Sequence, residues 1–219
     1  VSVCRDGTND WNTTHAICED DEYRLRGRYP SRCVIDIGAY LGTLAICVAL
    51  DNPTVRALAV APVPDNVALI EQNLDLNGLR ERVRVILAGV GGPDETECIV
   101  PYGFVGNEAG EHHAFVGASS LYYDGVVSNY TKVSRVRSLS ARNVLDEMGG
   151  QVDFIKIDCE GSEWSFLLDP VVASVPTIFG EWHHIGGTQE EFRSLVGRGG
   201  GKVEFAGPVA GPGYFEVCR

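Results

Sequence analysis

The chain has 219 residues, of which 44% are hydrophobic and 22% charged, with a formal net charge of −12. That length supports one α/β domain with a full core and is short for two. Scattered Lys and Arg in an acidic chain exclude nucleic acid as a partner, because phosphate binding needs clustered cations, and no apolar stretch approaches the roughly 20 residues that span a bilayer.

Beyond a leading segment over 1–31, strands and helices alternate. Arg32–Ile37 reads as a first strand and Leu41–Leu50 as a helix. Val55–Ala61 is a second apolar run, and Pro62-Val-Pro64-Asp65 is a turn with proline at a helix start. Val67, Leu69, Ile70, Leu74 and Leu76 give an amphipathic helix over Asp65–Asn77, closed by Gly78. Arg82–Gly89 is a third strand. The Gly-rich stretch 91–136 predicts inserted hairpins and loops, a lid over the ligand edge. Regularity returns with a helix from Ser140 to Met148, a strand over Val152–Asp158 and a helix over Ser162–Leu168. A strand over Thr177–Trp182 and a helix over Gln189–Val196 follow. Lys202–Phe205 and Tyr214–Cys218 close as a hairpin. The pattern predicts a Rossmann-like α/β fold: seven strands, mostly parallel, a C-terminal antiparallel hairpin, and helices on both faces. Ligands of such sheets bind where the βα loops gather.

The densest information lies in Val34-Ile-Asp-Ile-Gly-Ala-Tyr-Leu-Gly42. A buried strand ends at Asp36, and Gly38 and Gly42 then let the chain turn into a helix. Such a turn presents unpaired backbone N–H groups to an adenosine-bearing cofactor. The spacing D-x-G-x-x-x-G, with Tyr40 where a dinucleotide enzyme needs glycine, points away from nicotinamide cofactors and toward S-adenosylmethionine.

The stretches Ala61–Gly78 and Val152–Glu163, with the glycine turn, resemble the FkbM family of S-adenosylmethionine-dependent methyltransferases. The family patterns are D-x-G-A-x-x-G, P-x-P-x-N and K-x-D-x-E-G-x-E, and Asp21-Glu22-Tyr23 is similar to its leading segment. The resemblance implies a class I methyltransferase fold and O-methylation of natural products, sugars or glycolipids. It also implies cofactor contacts at Asp36, Gly38, Ala39, Tyr40, Gly42, Ala61, Pro62, Asn66, Ala88 and Asp158. One departure stands out. The family pattern E-P-x-P supplies an acid for the ribose hydroxyls, and this chain has Ala61 there. A charge-assisted hydrogen bond of on the order of 1.5–3 kcal/mol is forfeited. A second reading follows: a non-catalytic relative whose cofactor binding has weakened.

Methyl transfer to a hydroxyl needs in-line positioning and a base. Asp158, Glu160 and Glu163 leave one strand at the ligand edge, and His183 and His184 leave the next. These are the candidate catalytic residues, a histidine being the natural proton acceptor. Asp158, Glu160, Glu181 and His183 also suit a divalent cation holding a substrate oxygen. Trp164 and Trp182 could stack on a ring substrate or sit in the core, and Lys156 in an apolar strand calls for a carboxylate partner. His112 and His113 could belong to the lid.

The seven cysteines form no C-x-x-C pair, and Cys33, Cys47 and Cys159 fall in apolar patterns where a thiol acts as a small hydrophobe. With no secretory pattern at Val1–Asp6, reduced thiols and a cytoplasmic location are expected. Asn12-Thr-Thr and Asn129-Tyr-Thr match the glycosylation sequon and are read as coincidence. The expected partner is a small-molecule or glycan hydroxyl substrate, with a homodimer left open.

Overall fold

A computed structural model describes residues 1–23, 32–91, 96–104, 130–183, 187–206 and 213–219. The strands are β1 (Cys33–Ile37), β2 (Arg56–Ala61), β3 (Val83–Leu87), β4 (Gly89–Val90), β5 (Glu97–Phe104), β6 (Tyr130–Leu139), β7 (Phe154–Ile157), β8 (Thr177–Trp182), β9 (Lys202–Ala206) and β10 (Gly213–Cys218). The helices are α1 (Asp10–Cys18), α2 (Thr43–Asp51), α3 (Pro64–Leu76), α4 (Ala141–Asp146), α5 (Glu163–Leu168) and α6 (Gln189–Val196).

Seven strands form the main sheet in the order β3-β2-β1-β7-β8-β10-β9. The first five are mutually parallel, and β10 runs antiparallel to both β8 and β9. This is the predicted architecture. Order reverses at β1, with β2 on one side and β7 on the other, so the loops after β1 and β7 splay apart and leave a crevice.

Side-chain alternation divides the core. One face carries Ile35, Ile37, Leu58, Val60, Ile155, Ile157, Ile178 and Trp182 in a cluster with residues of α4, α5 and α6. The opposite face carries Val34, Ala57, Ala59, Ala61, Phe154 and Phe179 with residues of α2 and α3. The same period puts Asp36, Lys156 and Glu181 on this second face, one step beyond its apolar residues. Cross-strand register makes Asp36 the partner of Lys156, and Lys156 the partner of Phe179.

Helix boundaries follow local chemistry. Pro64 opens α3, where its missing N–H has no intrahelical acceptor to lose. Ser140 caps α4 by accepting from Asn143 N at 3.3 Å. Thr188 and Glu191 form a reciprocal capping box on α6.

One expectation needs correction, and two stretches gain detail that the sequence did not show. The leading segment contains a helix, α1, which its polar sequence DWNTTHAIC concealed because no apolar stripe repeats along it. Cys18 on α1 is disulfide-bonded to Cys47 on α2, so Cys47 is not the reduced core thiol expected. A bonded pair is what an oxidising compartment maintains, and the cysteine pattern therefore gives no support to a cytoplasmic location. In the 91–136 stretch, β5 pairs antiparallel with β6, which also pairs with β4, as a separate three-stranded sheet. Residues 105–129, with His112 and His113, lie outside the described residues. Among the described residues, no helix is long and apolar enough to cross a membrane.

Candidate active site

The crevice holds a cavity of about 210 Å3 walled by the turn after β1, the ends of β2 and β3, the loop after β7, and Glu181 of β8. α1 and Tyr23 close it from the N-terminal side.

The glycine turn is built by close backbone approach. Gly38 has φ +71°, and a Cβ there would lie 1.6 Å from the Asp158 carbonyl oxygen. Only glycine lets the β1 turn pass so close to β7. The Gly38 and Ala39 N–H groups both donate to the Val60 carbonyl, at 3.0 and 3.1 Å. The turn is thereby tied to β2. Tyr40 and Leu41 N–H have no backbone partner among the described residues, and both residues line the cavity. Gly42, also at φ +71°, is not on the cavity wall; a Cβ there would meet Ile70 Cγ2 at 2.8 Å. Its lack of a side chain lets α2 pack against α3 at Ile70.

Lys156 resolves the question of its partner by taking two. Its Nζ lies 3.5 Å from Asp36 and 3.7 Å from Asp158, and donates to the Gly38 carbonyl at 2.9 Å. Burial pulls its pKa down, but these carboxylates prevail and hold it raised. Asp36 is 1% exposed, and the Lys156 ammonium at 3.5 Å is the charge that faces its Oδ1. Burial raises its pKa against the pull of Lys156.

The acidic edge sorts into two kinds of carboxylate. Glu163 is 0% exposed. It accepts from Cys159 N at 2.8 Å, from Gly161 N at 2.7 Å, and lies 3.2 Å from His183 Nδ1. It anchors the loop after β7 and lies off the cavity wall, away from the other expected catalytic carboxylates Asp158 and Glu160. Asp158, Glu160 and Glu181 do line the cavity. Burial raises Asp158 to about 6, with Lys156 opposing and Glu160 and Glu163 reinforcing. Burial, with the field of Asp158, raises Glu181 to about 7. Glu160 sits at φ +55°, a strained conformation for a residue with a side chain.

His183 lies between two acids, Nδ1 facing Glu163 and Nε2 facing Glu160, each at 3.2 Å. Burial alone would lower its pKa, but the two carboxylate hydrogen bonds raise it to about 11. It is an imidazolium at neutral pH, so the sequence-level assignment of a neutral proton acceptor does not fit. His184 lies outside the described residues. Asp158, Glu160 and His183 bring one ligand-type atom each within 4.8 Å of one another, without Glu181. A cation there would have to displace the His183 proton that already serves Glu160.

The cofactor-side residues Asp36, Gly38, Ala39, Tyr40, Ala61, Pro62, Asn66, Ala88 and Asp158 all line the cavity. Trp182 is fully buried, and Trp164 donates from Nε1 to the His183 carbonyl at 2.8 Å. Neither reaches the cavity. Sequence reasoning missed Asn9, Thr13 and Ile17 on and before α1, and Tyr23, whose ring meets Phe179 edge-on at 5.4 Å. Glu181 was seen only as a metal ligand. Its position two residues beyond Phe179 on the cavity face was the available signal.

Crevice, glycine turn and acidic edge together define an α/β enzyme site for a nucleoside-bearing cofactor. Residues 36–202 match the Methyltransferase FkbM domain. The chain belongs to that family of S-adenosylmethionine-dependent methyltransferases. No curated protein matches it. Among solved structures, the N-terminal domain of EvdMO1 with SAH bound aligns with a TM-score of 0.52 at 10% identity, over 99% of this chain and 82% of that one. An O-methyltransferase family protein from Burkholderia thailandensis aligns with a TM-score of 0.52 at 11% identity, over 96% of this chain. A Nostoc punctiforme PCC 73102 protein provisionally assigned as an O-methyltransferase aligns with a TM-score of 0.50 at 12% identity, over 96% of this chain. The chain spans 59% and 58% of the lengths of those last two. At such identities the likeness is one of fold.

Proposed function

We propose that the protein transfers a methyl group from S-adenosylmethionine to a hydroxyl of a small molecule, sugar or natural product. The observation that carries the reading is Glu181, a cavity-lining carboxylate raised to about 7 with no hydrogen-bond partner among the described residues. A base poised near the working pH is what alcohol deprotonation needs.

The wall suits the cofactor. Asp36 lines the wall beside the Lys156 ammonium, and the Tyr40 and Leu41 amides fit a carboxylate. Ala88 and Gly89 leave the β3 end open for a flat ring. The cofactor supplies an electrophilic methyl group on a sulfonium. The chain must then hold the acceptor hydroxyl in line and take its proton. Glu181 accepts that proton, and Asp158 and Glu160 hold the hydroxyl beside it. The His183 imidazolium aims Glu160, and Lys156 keeps the turn after β1 in place.

Calorimetry with S-adenosylmethionine and S-adenosylhomocysteine, then methyl transfer to a panel of sugar, polyketide and glycolipid hydroxyls, tests this. Glu181→Gln should leave cofactor affinity unchanged and lower turnover by roughly 10²- to 10⁴-fold. No binding at millimolar cofactor would favour the non-catalytic reading instead.

A further inference from the structure

Ala61 leaves the cofactor's ribose without its usual acid, yet the wall beside it is not bare. Asn66, in the first turn of α3, is 2% exposed and lines the cavity. Its Oδ1 accepts from Arg5 Nη1 at 2.9 Å. A guanidinium has no acceptor atom, so the amide can face it only through oxygen, and its orientation is fixed. Nδ2 is left directed away from Arg5 and meets no acceptor among the described residues.

Arg5 is itself held firmly. Its Nε and Nη2 donate to the two oxygens of Asp10 at 2.9 and 3.0 Å, and its backbone N–H donates to Asp10 Oδ2 at 2.8 Å. Asp10 is 0% exposed and also accepts from the Tyr40 hydroxyl. The Arg5 guanidinium carbon lies 5.5 Å from the Tyr40 ring centre. Asp10 is therefore saturated and cannot be the missing acid. What the network leaves on this cavity-lining residue is an amide whose oxygen is taken and whose N–H donors are free of Arg5.

We infer that Asn66, oriented by Arg5, binds the ribose of the cofactor by donating to a hydroxyl oxygen, in place of the carboxylate absent at Ala61. Ribose hydroxyls donate and accept, so a donor can replace an acceptor as the reader of the same groups. The N-terminal segment, which lies ahead of the matched family domain, is then part of the cofactor site. The inference rests on the methyl-donor reading above.

The test is calorimetry of wild type, Asn66→Ala and Arg5→Met with S-adenosylhomocysteine and with its 2′-deoxy and 3′-deoxy analogues. Wild type should prefer the intact ribose over at least one analogue by roughly 10-fold. Asn66→Ala should lose that preference, and Arg5→Met should lose part of it as the amide becomes free to turn. Asn66→Ser gives the same comparison if the alanine variant folds poorly. A ribose preference unchanged in either the Asn66 or the Arg5 variant overturns the inference and leaves the methyl-donor reading standing. Failure of wild type to bind S-adenosylhomocysteine at all overturns both.

Discussion

The two walls of the cavity treat their polar groups in opposite ways. On the cofactor side, Asp10 takes donors from Arg5 and Tyr40 on both oxygens, the Gly38 and Ala39 amides are tied to Val60, and Lys156 clamps the turn. On the acceptor side, Asp158 and Glu181 crowd together with too few cations, and both are pushed up toward neutrality. A satisfied network holds a shape; a frustrated one holds a proton that can be moved. On the proposed function, binding and chemistry are thus built by different physics within one crevice.

Gly38→Ala strikes where the two walls meet and should have the largest effect. The added methyl cannot coexist with the Asp158 carbonyl at 1.6 Å, so β1 and β7 must part. A loss of more than about 4 kcal/mol in denaturant unfolding is expected, together with loss of cofactor binding. A well-folded, binding-competent G38A would mean that the two strand ends do not abut.

Reduction of Cys18–Cys47 probes the cofactor side alone. The bond closes a loop with a sequence separation of 29, worth about 2–4 kcal/mol. Thermal melting with and without reductant should show that drop, and S-adenosylhomocysteine should bind more weakly as α1 loosens. Unchanged affinity in the reduced protein would show that α1 is not needed to close the cavity.

The acceptor side should reveal itself through pH. The folded pKa values of Glu181 and Asp158 lie above their ordinary values, so the folded state binds their protons more tightly than the unfolded chain does. Their stabilising contribution is full below the ordinary carboxylate range, and is lost as pH rises through about 6 and about 7. Glu181→Gln removes that loss. The variant should exceed wild type in stability by on the order of 1–2 kcal/mol near pH 8 and match it near pH 4. A variant less stable than wild type at both pH values would contradict the frustration described. Turnover of wild type should rise through pH 7 as Glu181 ionises.

The smallest effect is expected away from both walls. Arg80 bridges Asp75 and Glu71 on the surface with 45% of its side chain exposed. Exposed pairs contribute little, so Arg80→Ala should leave the melting temperature and cofactor affinity unchanged.

Most elements were legible because their signals are local. Thr177–Trp182 and Gln189–Val196 were read to the residue, from an apolar run and an amphipathic period closed by clear stops. The α1 helix was not legible. Its support comes from Asp10 and Cys18, whose partners lie elsewhere in the chain, and no period in its own sequence betrays it. Among site residues, the glycine turn and the acids after β7 announced themselves by type and spacing. Their roles did not. Glu163 and Glu160 share a strand exit, yet one is sealed under backbone amides while the other faces the cavity.

What the amino-acid order settled on its own was the alternation of strand and helix, the sharp turn after β1 and the placing of carboxylates at one sheet edge. These depend on neighbours close in the chain. Only the folded molecule decided which carboxylate keeps a raised pKa, that His183 carries its charge between two acids, and that Arg5 reaches Asn66. Charge and burial act through space, and the groups that set them here are separated by 20 residues for Glu163 and His183 and by 61 for Arg5 and Asn66.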